Sequence, residues 1–504
     1  MIFSSINTKY KSLMGGLICG QEFEICIYLD KSVNAQEVYF SYVISNDWDK
    51  KKLLKMKKKG IFGEKVKYVI KMHFDIPHVY YYYFMIIKKD GDVCYVTKDV
   101  TNPDFIKRFY GKITYNDYHK FVLNVINKEV YLINHLFKKK VAFSLFSKSL
   151  IESKDIFEKL KKLGITVIFL NPTLFFENGV SKEQILIDLI LMKNEKLNIF
   201  LEKAVKNKIN IILDLHLFDY YDLQNINSYF DFVKEIIILY YNLGICGIKL
   251  DNVLNIENNM IIDLKKYLKH IDKNLILLCD IEDFVVSYVY NGENKELFIG
   301  DKFDSVINHP YKDGISSYII NNNYNLLEYN LMNIFELYNE YHINLLFNFL
   351  SNNNDSIIKK IIENYCDIKN IEELNKENIN QKVIFLLNVA YSILYILPGI
   401  PSITTNEIVF FERLGISNIL VKLGDIKNHY DMLIDAKFKF LKMENNLIGL
   451  ERYNDSEKML CLINNSSKNM VIDYDGYSVI YNTNGSTNYE LYPYSMIIMY
   501  KDRL

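Results

Sequence analysis

From residue 141 onward the chain repeats one alternation: a continuous apolar run, then an amphipathic helical stretch. VAFSLF leads into the charged segment SKDIFEKLKKLG and the run ITVIFLN, and LNIFLEKAVKN leads into INIILDL. YFDFVKEIIILYYNLG precedes ICGIKLD, MIIDLKKYLKHI precedes NLILLCD, and later runs are KFDSVIN, INLLFNF and SILYILPGIPSI. Runs without polar alternation need burial on both faces, which is the situation of parallel strands covered by helices. Eight such runs over roughly 300 residues predict a (β/α)8 TIM barrel, an α/β fold, over an open doubly wound sheet. No GxGxxG follows the first run, which disfavours a dinucleotide fold.

The flanks read differently. Residues 1–110 carry short aromatic and β-branched runs (EFEICIYLD, QEVYFSYVI, VKYVIKMHF, YYYYFMIIKKDGDVCYV) split by turn signals, the profile of a β-sandwich. Residues 111–140 are expected to form a helical, basic linker, 141–428 the barrel, and 429–504 a second β-sandwich built on runs such as NLIGLERY and KMLCLINN. Lysine plus arginine (60) nearly equals aspartate plus glutamate (61), a formal charge of −1. Bulk electrostatics therefore offers nothing to recruit nucleic acid or an anionic membrane. The seven cysteines are odd in number and form no CxxC, so reduced core thiols are expected instead of a disulfide framework or zinc site. No apolar run reaches the ~18 residues of a spanning helix, and the N-terminus lacks a cationic region followed by an unbroken apolar one. A cytoplasmic protein is the expectation, with no cofactor and no metal, since no Asp/Asn set has calcium-ligand spacing.

In a (β/α)8 barrel, chemistry sits at the C-terminal ends of the strands. There this sequence offers Asn171, Asp214 and His216, Lys249 and Asp251, Asp280, Asn308 and His309, and the run SNNNDS at 351–356. Two or three carboxylates converging on one rim suit glycosidic chemistry. One attacks or stabilises the sugar cation, and another protonates the leaving oxygen.

The order of these segments resembles the α-amylase superfamily (glycoside hydrolase family 13), most closely its neopullulanase and cyclomaltodextrinase branch. FSLFSKSL is similar to that family's YQIFPDRF, and LGITVIFLNP to its second strand ending LNP. GICGIKLDNVLN resembles GIDGFRLDxxxE, and LLCDIED falls at its GE. FDSVINHPYKDGI resembles FDSVMNYPxRDAI, NFLSNNNDS the strand ending HD, and LPGIPSITTNEI the run PGIPSIYYGDEI. The resemblance implies α-glucan or maltooligosaccharide as ligand and a possible homodimer through the N-terminal domain. It also implies Asp251 as nucleophile, Asp280 as general acid and Asp355 as third carboxylate. Asp214, His216, Lys249, His309 and Asn354 are the candidate substrate-binding residues at the strand ends.

The departures fall on one sugar ring. Where the family writes DxxxNH, the Asn and His positions hold Phe218 and Asp219. The arginine two before the nucleophile is Lys249, a point charge instead of a planar fork. The acid glutamate is Asp280, its carboxyl set back by one methylene, and misplacement of ~1 Å can cost ~10²-fold in rate. The HD pair falls on Asn353 and Asn354, or after a one-residue slip on Asn354 and Asp355. The aromatic–Asp pair after the second strand is missing, as is the family's excursion domain after the third. Catalytic residues acting as a unit fail together, so a lost or strongly impaired activity is expected. The alternative is a working retaining hydrolase or transglycosylase using Asp251. A rebuilt site for another substrate would draw on His216, His309 and Glu282.

Overall fold

The computed structural model describes residues 1–45, 49–128, 141–145, 151, 153, 155–177, 179–215, 226–286, 288–352, 355–366, 379–442 and 447–502. These fall into two compact units. One comprises Met1–Ile133, Asp283–Asp304 and Glu328–Ile343; the other comprises Asn134–Glu282, Ser305–Leu327 and Asn344–Leu504.

In the second unit eight parallel strands close into a barrel. In order they are Val141–Leu145, Ile165–Leu170, Asn210–Leu215, Ile245–Leu250, Ile276–Ile281, Ser305–Asn308, Phe347–Asn348 and Ile400–Thr404. The last pairs back onto the first, Ala142 beside Ser402 and Ser144 beside Thr404. The strands are nearly continuously buried, as their unbroken apolar runs require. The same unit holds a five-stranded antiparallel sheet running from Lys437 to Asp502. Arg452, fully buried on its Leu447–Tyr453 strand, ties that sheet to the barrel layer. Its guanidinium donates to the carbonyls of Ala436 at 2.9 Å and Ile396 at 3.0 Å, the latter at the end of the Gln381–Ile396 helix.

The first unit holds a seven-stranded and a three-stranded sheet. They share an aromatic core in which Phe40 stacks on Tyr82 and Tyr82 on Phe121.

Three expectations need correction. Residues 111–126 are not a helical linker: Gly111–Thr114 and Phe121–Ile126 are strands of the seven-stranded sheet, while 129–140 lie outside the described residues. The run FVLNVI buries Phe121, Leu123 and Val125 beside the Tyr-rich His78–Lys88 strand, and that pairing outweighs the basic surroundings that suggested a helix. SILYILPGIPSI is two elements, because SILYI ends the helix Gln381–Ile396 and only Ile400–Thr404 is strand. A helix buried on all sides shows no polar face, so periodicity could not separate it from a buried strand. In INLLFNF only Phe347–Asn348 is strand, behind a short helix at Glu340–Ile343.

Gly399 sits between helix and last strand at φ +108°, and a Cβ there would lie 2.6 Å from the Leu346 carbonyl oxygen and 2.7 Å from Asn348 Nδ2. Gly399→Ala therefore combines backbone strain with a clash against main chain. It should lower stability by at least about 2 kcal/mol, read as a fall in the urea midpoint.

Candidate active site

Side chains alternate along a strand, so Lys249 and Asp251 share one side of the fourth strand's end, while Ile248 and Leu250 are fully buried on the other. Strand register sets Asp214 of the third strand directly beside Lys249. The ammonium lies 3.1 and 3.2 Å from the two Asp214 oxygens, 3.1 Å from Asp251 Oδ1 and 3.4 Å from Asp280 Oδ2. Lys249 is 8% exposed and Asp214 5%, so this pair is buried, while the Asp251 and Asp280 side chains keep some contact with solvent. Burial alone would pull the lysine's pKa down. The three carboxylates outweigh that and hold it above the ordinary lysine value.

Asp280 has a second partner. Its Oδ1 lies 2.7 Å from His309 Nε2, so both of its oxygens are engaged, one by an imidazole and one by an ammonium. His309 opens the helix His309–Asn321 and is buried, its ring edge-on to Phe349 at 4.9 Å between centroids. Behind it, Asn308 donates to Asn348 at 2.8 Å and Asn348 to the Pro398 carbonyl at 2.8 Å, bracing the ends of the sixth and seventh strands.

Asp355 stands in a separate cluster. Lys360 Nζ is 2.6 Å from its Oδ1, and Lys312 Nζ is 2.9 Å from its Oδ2. Its loop is closed by its own N–H donating to Asn352 Oδ1 at 2.7 Å, and by the Asn352 N–H donating to its carbonyl at 2.8 Å. Desolvation would raise the Asp355 pKa, but the two lysines outweigh it and lower it. The Phe349 ring lies between the clusters, touched by His309 on one side and with Lys312 5.6 Å from its centroid.

Of the residues named from sequence, Asp214, Lys249, Asp251, Asp280 and His309 thus meet in one linked cluster, and Asp355 stands in a second. His216 and Asn354 lie outside the described residues, as do Phe218, Asp219 and Asn353. Glu282 is exposed and takes no part in the cluster. Lys312, Lys360 and Phe349 were not anticipated. Lys312 had a signal, since it stands at the Arg of FDSVMNYPxRDAI; Lys360 and Phe349 had none. Among the described residues no group of three or more His, Cys, Asp or Glu side chains is arranged to hold a metal ion.

Two outcomes test these assignments. Lys249→Met leaves three carboxylates facing one another and should cost about 3–5 kcal/mol at neutral pH, measured by urea unfolding. A raised lysine pKa means its contribution is complete below the ordinary 10.5 and lost only as pH rises above it. The deficit should therefore stay flat from about pH 6 to about pH 9 and shrink in acid, as the carboxylates protonate. For Asp355 the sign is opposite: its depressed pKa stabilises the fold above the ordinary 3.8, and that contribution is lost as pH falls through the lower folded value. Lys312→Met should move the Asp355 carboxyl titration upward, followed by carboxyl NMR.

No family model matches the chain, and no curated protein matches it. Solved structures do. A maltogenic amylase from S. marinus superposes with a TM-score of 0.55 at 15% identity, over 97% of this chain and 81% of that one. A cyclomaltodextrinase gives 0.56 at 12% identity, over 98% of both chains. A cyclic α-maltosyl-(1→6)-maltose hydrolase from Arthrobacter globiformis gives 0.53 at 11% identity, over 73% of this chain and 99% of that one. Identities this low carry fold and not residue roles. The chain therefore shares the fold of these structures, in the case of the cyclomaltodextrinase over almost its whole length.

Proposed function

We propose that this protein binds α-glucan or maltooligosaccharide chains at the C-terminal rim of its barrel and has lost, or nearly lost, the ability to cleave them. One observation carries the reading: both oxygens of Asp280 are engaged, by His309 and by Lys249. A general acid needs an oxygen free to carry a proton to the leaving group, and Asp280 is already a methylene shorter than the glutamate it replaces. Asp355 is likewise held through both oxygens by Lys312 and Lys360. The glucan part of the proposal draws on the shared fold and on Asp251 and Asp280, the more exposed side chains of the cluster, whose carboxylates accept hydrogen bonds from hydroxyls.

A second reading, a retaining α-glucan hydrolase with Asp251 as nucleophile, has one observation in its favour. Asp251 Oδ1 and Asp280 Oδ2 lie within 3.1 and 3.4 Å of one nitrogen, hence no more than about 6.5 Å apart. Retaining pairs stand ~5–5.5 Å apart.

Purified protein and Asp251→Asn should be incubated with maltoheptaose, cyclodextrin and pullulan, with binding followed by calorimetry and cleavage by new reducing ends. The expected result is maltoheptaose binding without turnover. Hydrolysis abolished by Asp251→Asn would overturn the silent reading in favour of the second one.

A further inference from the structure

Residues 50–59 read KKKLLKMKKK, seven lysines in ten positions. They run along one edge of the N-terminal unit. Lys52–Lys55 is an edge strand of the seven-stranded sheet and Lys57–Phe62 an edge strand of the three-stranded sheet. Only Met56 stands between them, buried and hydrogen-bonded through its N–H to the Val38 carbonyl at 2.8 Å. The strip therefore passes continuously from one sheet to the other.

Pairing explains why charge accumulates there. On the inner strand Lys65–Met72, Lys65, Lys67 and Lys71 face Asp30, Glu24 and Glu22 of the Phe23–Asp30 strand or its approach. Lys51 and Lys55 are held by Asp117 and Glu37. Lys52, Lys57, Lys58 and Lys59 are exposed, and no ion pair joins them to a described residue. The strip ends at a hairpin tip where Ile61 is 57% and Phe62 56% exposed, with Leu53 48% exposed further back. The acids at the tip, Glu64 and Asp30, pair with Lys31 at 3.5 Å and Lys65 at 3.8 Å. Every residue of the Lys57–Phe62 strand except Gly60 is exposed, so neither face contributes a core side chain.

Lysines on edge strands blunt unwanted strand pairing. That accounts for one or two of them. It does not account for an isoleucine and a phenylalanine exposed at the tip of the same strand, which would favour association. Cations beside a protruding apolar tip match an anionic bilayer: the charges meet acidic headgroups and the apolar side chains enter the interface. We propose that this edge of the N-terminal unit docks on the surface of an anionic lipid membrane, with Ile61 and Phe62 as the inserted tip. The whole-chain charge of −1 conceals it, because the excess is local. A second copy of the chain is a poor occupant, since a two-fold interface would set the same lysines against one another. A soluble polyanion would engage the lysines but has no use for the tip.

The full chain should be sedimented with vesicles of phosphatidylcholine containing about 30% phosphatidylserine, and with phosphatidylcholine alone, at about 0.1 M NaCl. It should pellet with the anionic vesicles only. Combining Lys57→Gln, Lys58→Gln and Lys59→Gln should weaken partitioning on the order of a hundredfold, about fivefold for each lysine. Combining Ile61→Ser with Phe62→Ser should weaken it at least tenfold, as roughly expected for two lost apolar anchors. All five side chains are exposed, so the variants keep the fold. Failure of the wild-type chain to pellet with anionic vesicles overturns the proposal. Anionic binding undiminished by loss of the tip also overturns it, and reduces the strip to a purely electrostatic contact.

Discussion

One ammonium holds the barrel's rim together. Lys249 projects from the fourth strand into three carboxylates from the third, fourth and fifth, and each is close enough to count as an ion pair. Without a cation there, three negative charges would face one another at a largely buried site, at a cost in stability. The interaction is structural first. It needs no substrate and no turnover to be kept.

The same interaction shapes what the site can do. An arginine at this position could present several donors in a plane and leave oxygens free; an ammonium is compact and draws all three carboxylates toward one point. His309 then takes the other oxygen of Asp280. Both oxygens of that carboxylate are then occupied, one by an imidazole and one by an ammonium.

Much of this was legible in the residues. The barrel followed from unbroken apolar runs alternating with amphipathic helices, and the meeting of Lys249 with Asp251 followed from their spacing of two on one strand. The errors came where period is uninformative: SILYI, buried on all sides, read as strand, and FVLNVI was masked by basic neighbours. Lys360 was invisible because its role depends on where the loop before the Ile357–Tyr365 helix returns Asp355, which no local pattern encodes. The lysine strip at 50–59 was plain in the sequence, yet its weight was lost in a balanced total charge.

The sequence by itself determined the alternation of elements, and with it the closed barrel and the carboxylates at its strand ends, because burial on both faces and side-chain periodicity are local properties of a strand. Only the tertiary structure decided that Asp280 spends both oxygens on Lys249 and His309, and that Asp355 is held by lysines apart from the main cluster. Those facts rest on distances between residues far apart in the chain. A shift of an ångström or two decides whether a carboxylate is free to act or already bound.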